Sequence, residues 1–360
     1  MATGGRRDDA ALREGLDRWI SAHPELVPGG GDAAGRPPGI AALGHADGGL
    51  ANETVLVDLG PGHPGIVVRL PPLEPTFPGY DLGPQAVVQN VVAAAGVPAP
   101  APALVVTDPG WVGSPFLVMP RVHGDIPGPA PVFDPYVTGA DPGAQRRLYE
   151  ALLDTLAAVH AVPWKAAGLD ASLPGLGLRD ALDRWTSYVD WSSDGDPLPA
   201  LVAALAWCEG SLPPERAAVL LWGDVRLGNL VFDPAHRVTA VLDWDLASLG
   251  PPGMDLGWHF GLEWMMESLF GRRVPGFPGR AEALARYERA GGPAVADDEL
   301  AWHEVFALVR ALAINDRHQR ITGDPRRADN PMGGVLLERL ASADEARSRL
   351  RSPDRGARSP

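Results

Sequence analysis

Residues 220–258 read LLWGDVRLGNLVFDPAHRVTAVLDWDLASLGPPGMDLGW, and the order of polar residues within this stretch decides the fold. An apolar run, Ala217 to Leu221, ends in Trp222-Gly223-Asp224, which puts a carboxylate on a loop just beyond buried structure. Asn229 comes five residues later, then an apolar strand, a turn at Pro234 to Arg237, a second apolar strand and Asp243. A hairpin folds its far ends together, so Asn229 and Asp243 are expected to meet at the open end, close to Asp224. Register decides how closely. A four-residue turn pairs Asn229 with Leu242 and sends Asp243 to the opposite face, whereas a three- or five-residue turn pairs Asn229 with Asp243. Close approach therefore requires the odd turn, or a strand that has already ended at Asp243.

Two oxygen-bearing side chains beside a free carboxylate suit a hard divalent cation and a proton acceptor. Magnesium takes few protein oxygens and keeps its other positions for water and phosphates. Phosphoryl transfer asks for metal neutralisation and for a carboxylate that orients and deprotonates the attacking hydroxyl. In that scheme Asp224 is the base, while Asn229 and Asp243 hold the metal.

The segment resembles the aminoglycoside phosphotransferase and choline kinase superfamily, which shares the protein-kinase fold, and within it the branch related to the kinase-like domains of acyl-CoA dehydrogenase fusions. The resemblance rests on Gly223-Asp224 followed by Asn229, on Leu242-Asp243-Trp244-Asp245 with Ala247 and Leu249-Gly250, and on Asp255-Leu256 before Trp258. It extends over roughly residues 45 to 325. It implies a bilobal α+β fold with a small sheet-rich N-lobe and a larger, mainly helical C-lobe, using ATP and Mg2+.

Other landmarks follow from the same resemblance. Gly48-Gly49-Leu50-Ala51-Asn52 precedes a strand and looks like the loop over the nucleotide phosphates, where missing side chains let backbone N–H groups approach. Ile66-Val67-Val68-Arg69 ends where the family places a basic residue on the phosphates. Lys165 is the only lysine in the chain, so Arg69 is the candidate, with Gln85 standing where an acidic partner is usual. That is a departure, because an arginine fork is not interchangeable with an ammonium point charge. Phe116 to Val122 resembles the hinge that reads adenine, through Met119, the carbonyl of Pro120 and the N–H of Val122. Arg226 is a candidate for stabilising charge on the transferred group. Trp222 stands where many relatives carry histidine, so packing must partly replace hydrogen bonding there. Asp255 reads as a brace for the catalytic loop, and His160 as a core or helix-end histidine.

Patterning divides the chain. Residues 1–39 read as a tail, an amphipathic helix with Leu12, Leu16, Trp19 and Ile20 on one face, and a Gly/Pro-rich link. Residues 40–122 carry strand signals at Thr54–Leu59, Gly65–Leu70, Ala103–Thr107 and Pro115–Val122, with a helix around Gln85–Ala95, and form the nucleotide-binding lobe. Residues 123–350 are dominated by long helical patterns and form the catalytic and substrate-binding lobe. Residues 351–360 read as a disordered tail.

Composition narrows the function further. The formal charge of −14 argues against sequence-independent nucleic-acid binding, which needs a basic face. The longest apolar stretch, Val91 to Val106, is broken by Pro98, Pro100 and Pro102, so no membrane span is expected. The sole cysteine, Cys208, and a charged N-terminal segment favour the cytoplasm. Oligomeric state is not readable. The acceptor is expected to be a hydroxyl of a small molecule. Segments Trp258 to Met266, Trp302 to Glu304 and Asp316 to Arg320 are the expected substrate face, and their Trp and Met content suits a partly apolar metabolite, with a hydroxyacyl thioester as one such acceptor. The alternatives are a nucleotide-binding pseudokinase with a regulatory role, motivated by Arg69, Gln85 and Trp222, and an antibiotic kinase.

Overall fold

Period-two alternation builds the smaller lobe. The structure is a computed structural model that describes residues 7–27, 37–46, 52–175, 177–324 and 330–351. Five strands, β1 (Ala42–His45), β2 (Glu53–Asp58), β3 (Ile66–Leu70), β4 (Leu104–Val106) and β5 (Phe116–Pro120), form one sheet in the order β1-β2-β3-β5-β4. All neighbouring pairs are antiparallel. On one face Val55, Val57, Ile66, Val68, Phe116 and Val118 pack against Leu12, Leu16, Trp19 and Ile20 of helix α1 (Asp9–Ala22). Each such buried side chain contributes about 1.5–3 kcal/mol relative to exposure. The sequence sets α1 apart behind a Gly/Pro-rich link, yet in space it closes this face of the sheet. On the other face Leu117 and Met119 meet Leu82 and Ala86, at the start of α2 (Gly83–Ala94). Arg69 lies between Val68 and Leu70 on β3, so alternation sends it to the α2 face.

The sequence expected four strands here, and all four form. It did not signal β1, whose Ala42-Leu43-Gly44-His45 is a half-exposed edge without an apolar alternation.

The larger lobe is mainly helical. In order it contains α3 (Pro135–Thr138), α4 (Pro142–His160), α5 (Leu178–Ser192), α6 (Pro199–Gly210), β6 (Val219–Leu221), β7 (Leu230–Phe232), β8 (Val238–Val241), β9 (Ser248–Gly250), α7 (Gly253–Phe270), α8 (Arg280–Arg289), α9 (Asp297–Thr322) and α10 (Pro331–Arg351). Asp141 caps α4 by accepting from the Ala144 N–H at 3.0 Å. Leu148, Leu152 and Leu156 of α4 share a core with Leu220, Trp222, Leu230, Phe232 and Val241, which fixes the segment carrying Asp224 on a buried helix. Helix α9 packs against α5, α6, α7 and α10. Its approach to α7 depends on glycine: a Cβ at Gly257 would lie 2.6 Å from the His303 carbonyl carbon. That close contact sets the height of Asp255, two residues earlier on α7. Among the described residues no helix is long and apolar enough to cross a membrane.

Candidate active site

Asp224 sits on the loop after β6, held from three sides. Asn229 Nδ2 donates to its Oδ2 at 2.7 Å, Arg226 Nε donates to the same oxygen at 2.9 Å, and the Trp258 indole N–H donates to Oδ1 at 2.8 Å. Asn229 Nδ2 also donates to the Asp224 carbonyl at 2.9 Å. A carboxylate has about four lone-pair sites, so these contacts leave acceptor capacity on Oδ1. The turn itself needs Gly223, whose φ of +92° is disfavoured for other residues and whose missing Cβ would overlap the Leu246 backbone.

The loop is braced from behind by Asp255, as expected. Its Oδ2 accepts from the Trp222 N–H at 2.7 Å and from His160 Nε2 at 3.1 Å, and its Oδ1 accepts from the Gly223 N–H at 2.9 Å. His160 is therefore a buried brace that also contacts the Tyr287 hydroxyl at 2.6 Å. Trp222 is fully buried, and its indole donates to the Leu242 carbonyl at 2.8 Å. Packing and one donor do the work that an imidazole would share.

The hairpin register decides between the two expected routes. Leu230 pairs with Val241, and the Leu242 N–H donates to the Asn229 carbonyl at 2.8 Å, so Asn229 stands opposite Leu242. Residues 227–229 form a helical turn rather than strand. The chain leaves the ladder after Val241, and Asp243 takes a φ of +60°. A strand that has ended, not an odd turn, frees Asp243 from the strand's alternation.

Arg69 reaches this corner from the other lobe. It donates to Asp243 Oδ1 at 3.2 Å, to Asp245 Oδ2 at 3.0 Å and to Gln85 Oε1 at 3.4 Å. Burial works against its charge, but Asp245 and Asp243 outweigh burial and hold its pKa above the usual arginine value. The Gln85 pairing agrees with the sequence reading, whereas the two carboxylates were not anticipated as partners of Arg69. Asp245 also accepts from Asn52 Nδ2. Burial, opposed by Arg69 and reinforced by Asp243, pushes the Asp245 pKa up to about 7. Asn52 Oδ1 and Asp245 Oδ1 are buried without a hydrogen-bond partner. Gly48 and Gly49 lie outside the described residues.

At the end of β5, Met119 is buried beside Gln89 Nε2, 3.2 Å from its sulfur, and Pro120 pairs with Ile66. The Arg121 N–H is consumed by the Gly65 carbonyl at 3.1 Å, so the next amide along the chain is that of Val122. Both Pro120 and Val122 are half-buried.

The expected substrate face is largely core. Trp302, His303, Glu304 and Asp316 are almost wholly buried within α9, and Glu304 pairs with Arg280 and Arg339. Trp258 is buried and spends its indole N–H on Asp224 rather than facing open space. The open space lies elsewhere, in a cavity of about 370 Å3 lined by Phe77, Tyr80, Trp185, Tyr188, Trp244 and Arg310 among others. Trp185 and Tyr188, three apart on α5, were the available signal for it.

A small sheet-rich lobe over a larger helical lobe, with a loop carboxylate and a second carboxylate near their junction, is the architecture of kinase-like phosphotransferases. The chain belongs to the phosphotransferase enzyme family, whose model matches residues 45–314. Acyl-CoA dehydrogenase family member 11 of Gallus gallus is 30% identical over 257 residues, covering 70% of this chain and 31% of that protein. A probable acyl-CoA dehydrogenase of Arabidopsis thaliana is 27% identical over 303 residues, covering 76% of this chain and 35% of that one. The chain thus spans about a third of the length of these relatives. A candidate aminoglycoside phosphotransferase of Ralstonia eutropha has a similar fold, with a TM-score of 0.68 at 24% identity, covering 94% of this chain and 99% of that one. A macrolide 2'-phosphotransferase of Brachybacterium faecium aligns with a TM-score of 0.54 at 19% identity, over 89% and 98% of the two chains. Another similar fold, with a TM-score of 0.54 at 15% identity over 84% and 95%, is an aminoglycoside phosphotransferase mutant solved with ADP and hygromycin B.

Proposed function

We propose that the chain transfers the γ-phosphoryl group of ATP to a hydroxyl of a small, partly apolar metabolite. The observation that carries this reading is Asp224, pinned by Asn229, Arg226 and Trp258 beside the corner that holds Asp243 and Arg69. The acceptor hydroxyl gives its proton to Asp224 as its oxygen bonds to the γ-phosphorus. The bond from that phosphorus to the β,γ-bridging oxygen breaks, and ADP leaves. Arg226 is bound to Asp224 through Nε, so its terminal nitrogens remain to meet charge on the transferred group.

Nucleotide would lie between the lobes, with adenine against Met119, Pro120 and Val122 and the phosphates near Arg69, Gln85, Asn52 and the loop containing Gly48 and Gly49. The ADP complex of a relative in fold supports ATP as donor. Magnesium fits the donor set: Asn229 spends its amide nitrogen on Asp224, leaving Oδ1, and Asp243 adds a carboxylate beside the unpartnered oxygens of Asn52 and Asp245. Bound there, it would neutralise phosphate charge. Arg69 now occupies Asp243 and Asp245, so we expect it to share these carboxylates with the cation or exchange them for phosphate. The acyl-CoA dehydrogenase relatives favour a hydroxyacyl thioester among the candidate acceptors, and the lone buried Cys208 supports a cytoplasmic setting.

The test is ADP release with a panel of hydroxylated metabolites, comparing wild type with Asp224→Ala. Acceptor-dependent ADP that disappears in the variant supports the reading. Equal ADP release from both proteins sinks it.

A further inference from the structure

The cavity beside the catalytic loop has an unusual charge arrangement. Its volume of about 370 Å3 falls in the range of small-molecule sites. Phe77 and Tyr80 line it from the segment between β3 and α2, Trp185 and Tyr188 from α5, and Trp244 from the loop after β8. Two arginines line it as well. Arg310, from the middle of α9, is 4% exposed, and its guanidinium lies over the rings of Trp258 at 4.6 Å and Trp185 at 5.0 Å. Its Nη2 donates to the Gly223 carbonyl at 3.3 Å, and its Nε has no hydrogen-bond partner. Arg184 stands exposed at the mouth, one turn of α5 before Tyr188.

Among the described residues neither arginine is in a salt bridge. Burial pushes the Arg310 pKa down to about 10, Asp255 and Asp224 oppose this, and Arg184 adds to it. Burial also lowers the pKa of Arg184, which Asp180 opposes. A guanidinium still carries its proton at neutral pH under those conditions. Of the two carboxylates that line the cavity, Asp245 commits Oδ2 to Arg69 and Asn52 and keeps Oδ1 for the cation site proposed above, and Asp81 is held by the Gly83 backbone N–H at 2.8 Å. A buried cation with an unused donor, a second cation at the entrance and aromatic walls between them form a site for an anion with an apolar body.

We infer that this cavity is the acceptor subsite and that it binds the carboxylate of a hydroxy acid whose apolar chain lies along Trp185, Tyr188 and Phe77. The inference rests on the phosphotransferase reading and departs from its thioester candidate, because a thioester has no carboxylate to meet these arginines. Arg310 contacts the carbonyl of Gly223, the residue before the base, so the carboxylate lies only a few bonds from the reacting hydroxyl. An acid with its hydroxyl near the carboxylate fits, and a polycationic acceptor does not.

The test uses matched probes that differ in one group: β-hydroxydecanoate, β-hydroxydecanamide, the corresponding amino alcohol and β-hydroxydecanoyl-CoA. In wild type we expect the acid to exceed the amide at least about tenfold in kcat/KM, which is the discrimination a single charged hydrogen bond supplies. The amino alcohol should not turn over. In Arg184→Gln and Arg310→Gln the acid-to-amide ratio should fall towards one, a change that a general loss of structure would not produce because it lowers both rates together. Arg184 is exposed, so its variant keeps the test open should Arg310→Gln fail to fold. Equal rates for acid and amide, preference for the amine, turnover of the CoA thioester alone, or an unchanged ratio in Arg184→Gln would each overturn the inference. Thermal stabilisation by β-hydroxydecanoate in the presence of ADP is read independently of turnover. If it occurs and is lost in Arg184→Gln although no acceptor releases ADP, the subsite stands and phosphoryl transfer falls; if it is absent, the subsite falls.

Discussion

Asp255→Asn tests the brace behind the catalytic loop with little change of shape. The wild-type carboxylate accepts from three donors: the Trp222 and Gly223 backbone N–H groups at 2.7 and 2.9 Å and His160 Nε2 at 3.1 Å, all at a residue 1% exposed. An amide keeps one oxygen. The oxygen can stay on one backbone N–H, but the new NH2 then faces the other backbone donor, which is left buried and unpaired at a cost of about 1–3 kcal/mol. The surviving bond also loses its charge assistance, roughly a further 1 kcal/mol. His160 can turn its lone-pair nitrogen to the amide and recover part of its contact, so the total is about 2–4 kcal/mol. Urea unfolding followed by tryptophan fluorescence reads this as a lower midpoint with an unchanged slope. Because the brace fixes Gly223, the same variant should lower kcat more than it raises nucleotide KM. A midpoint within error of wild type would refute the assignment of Asp255 as the acceptor that holds this loop.

Three further outcomes follow from the geometry. Arg69→Ala should weaken binding of a non-hydrolysable ATP analogue about 10–100-fold by calorimetry, since a charged contact is worth roughly 1.5–3 kcal/mol; unchanged affinity would remove Arg69 from the phosphate site. Gly257→Ala should cost about 1–3 kcal/mol in denaturant unfolding, because its Cβ would lie 2.6 Å from the His303 carbonyl carbon; a neutral substitution would mean that α7 and α9 separate freely. Burial raises the pKa of Glu263 from 4.5 to about 7, opposed by its hydrogen bond from Tyr149. The folded chain therefore holds this proton longer than the unfolded chain, and the stability it lends is complete below about pH 4.5 and lost as pH rises through 7. The side chain is 31% exposed, so the loss is about 1–2 kcal/mol rather than the roughly 3 kcal/mol of full desolvation. Glu263→Gln should match wild type near pH 5 and exceed it in stability near pH 8, and parallel pH profiles would contradict the burial argument.

The corner that gathers Asp224, Asn229 and Asp243 was legible because it is written as a linear order of polar residues between apolar runs. Gly223-Asp224, Asn229 and Asp243 punctuate buried strands, and one hairpin is enough to bring them together. Register was not legible. The bulge between Val231 and Phe232 and the left-handed backbone at Asp243 are local solutions that the alternation of Leu230 to Leu242 does not encode. Arg69 could be read as the cation at the end of β3, whereas its ties to Asp243 and Asp245 span some 175 residues of sequence and needed the fold. The acceptor wall was misread for a plain physical reason. Trp and Met at helical spacing look the same whether they face a cavity or another helix, and those of α7 and α9 mostly face helices. Trp185 and Tyr188 of α5, which do line open space, carry no stronger sequence signal.

In the proposed reaction Asp224 receives the proton of an acceptor hydroxyl during phosphoryl transfer. The most direct measurement uses ATP labelled with 18O in the γ-phosphoryl group, a hydroxylated acceptor, and mass spectrometry of the products from wild type and Asp224→Asn, with nucleotide affinity measured for both. Wild type should form a phosphomonoester of the acceptor that carries the label, and the variant should form at least about 100-fold less while nucleotide affinity is retained. Label found only in free phosphate, or nucleotide binding with no labelled product from wild type, would contradict it, and the second result would point instead to a regulatory pseudokinase.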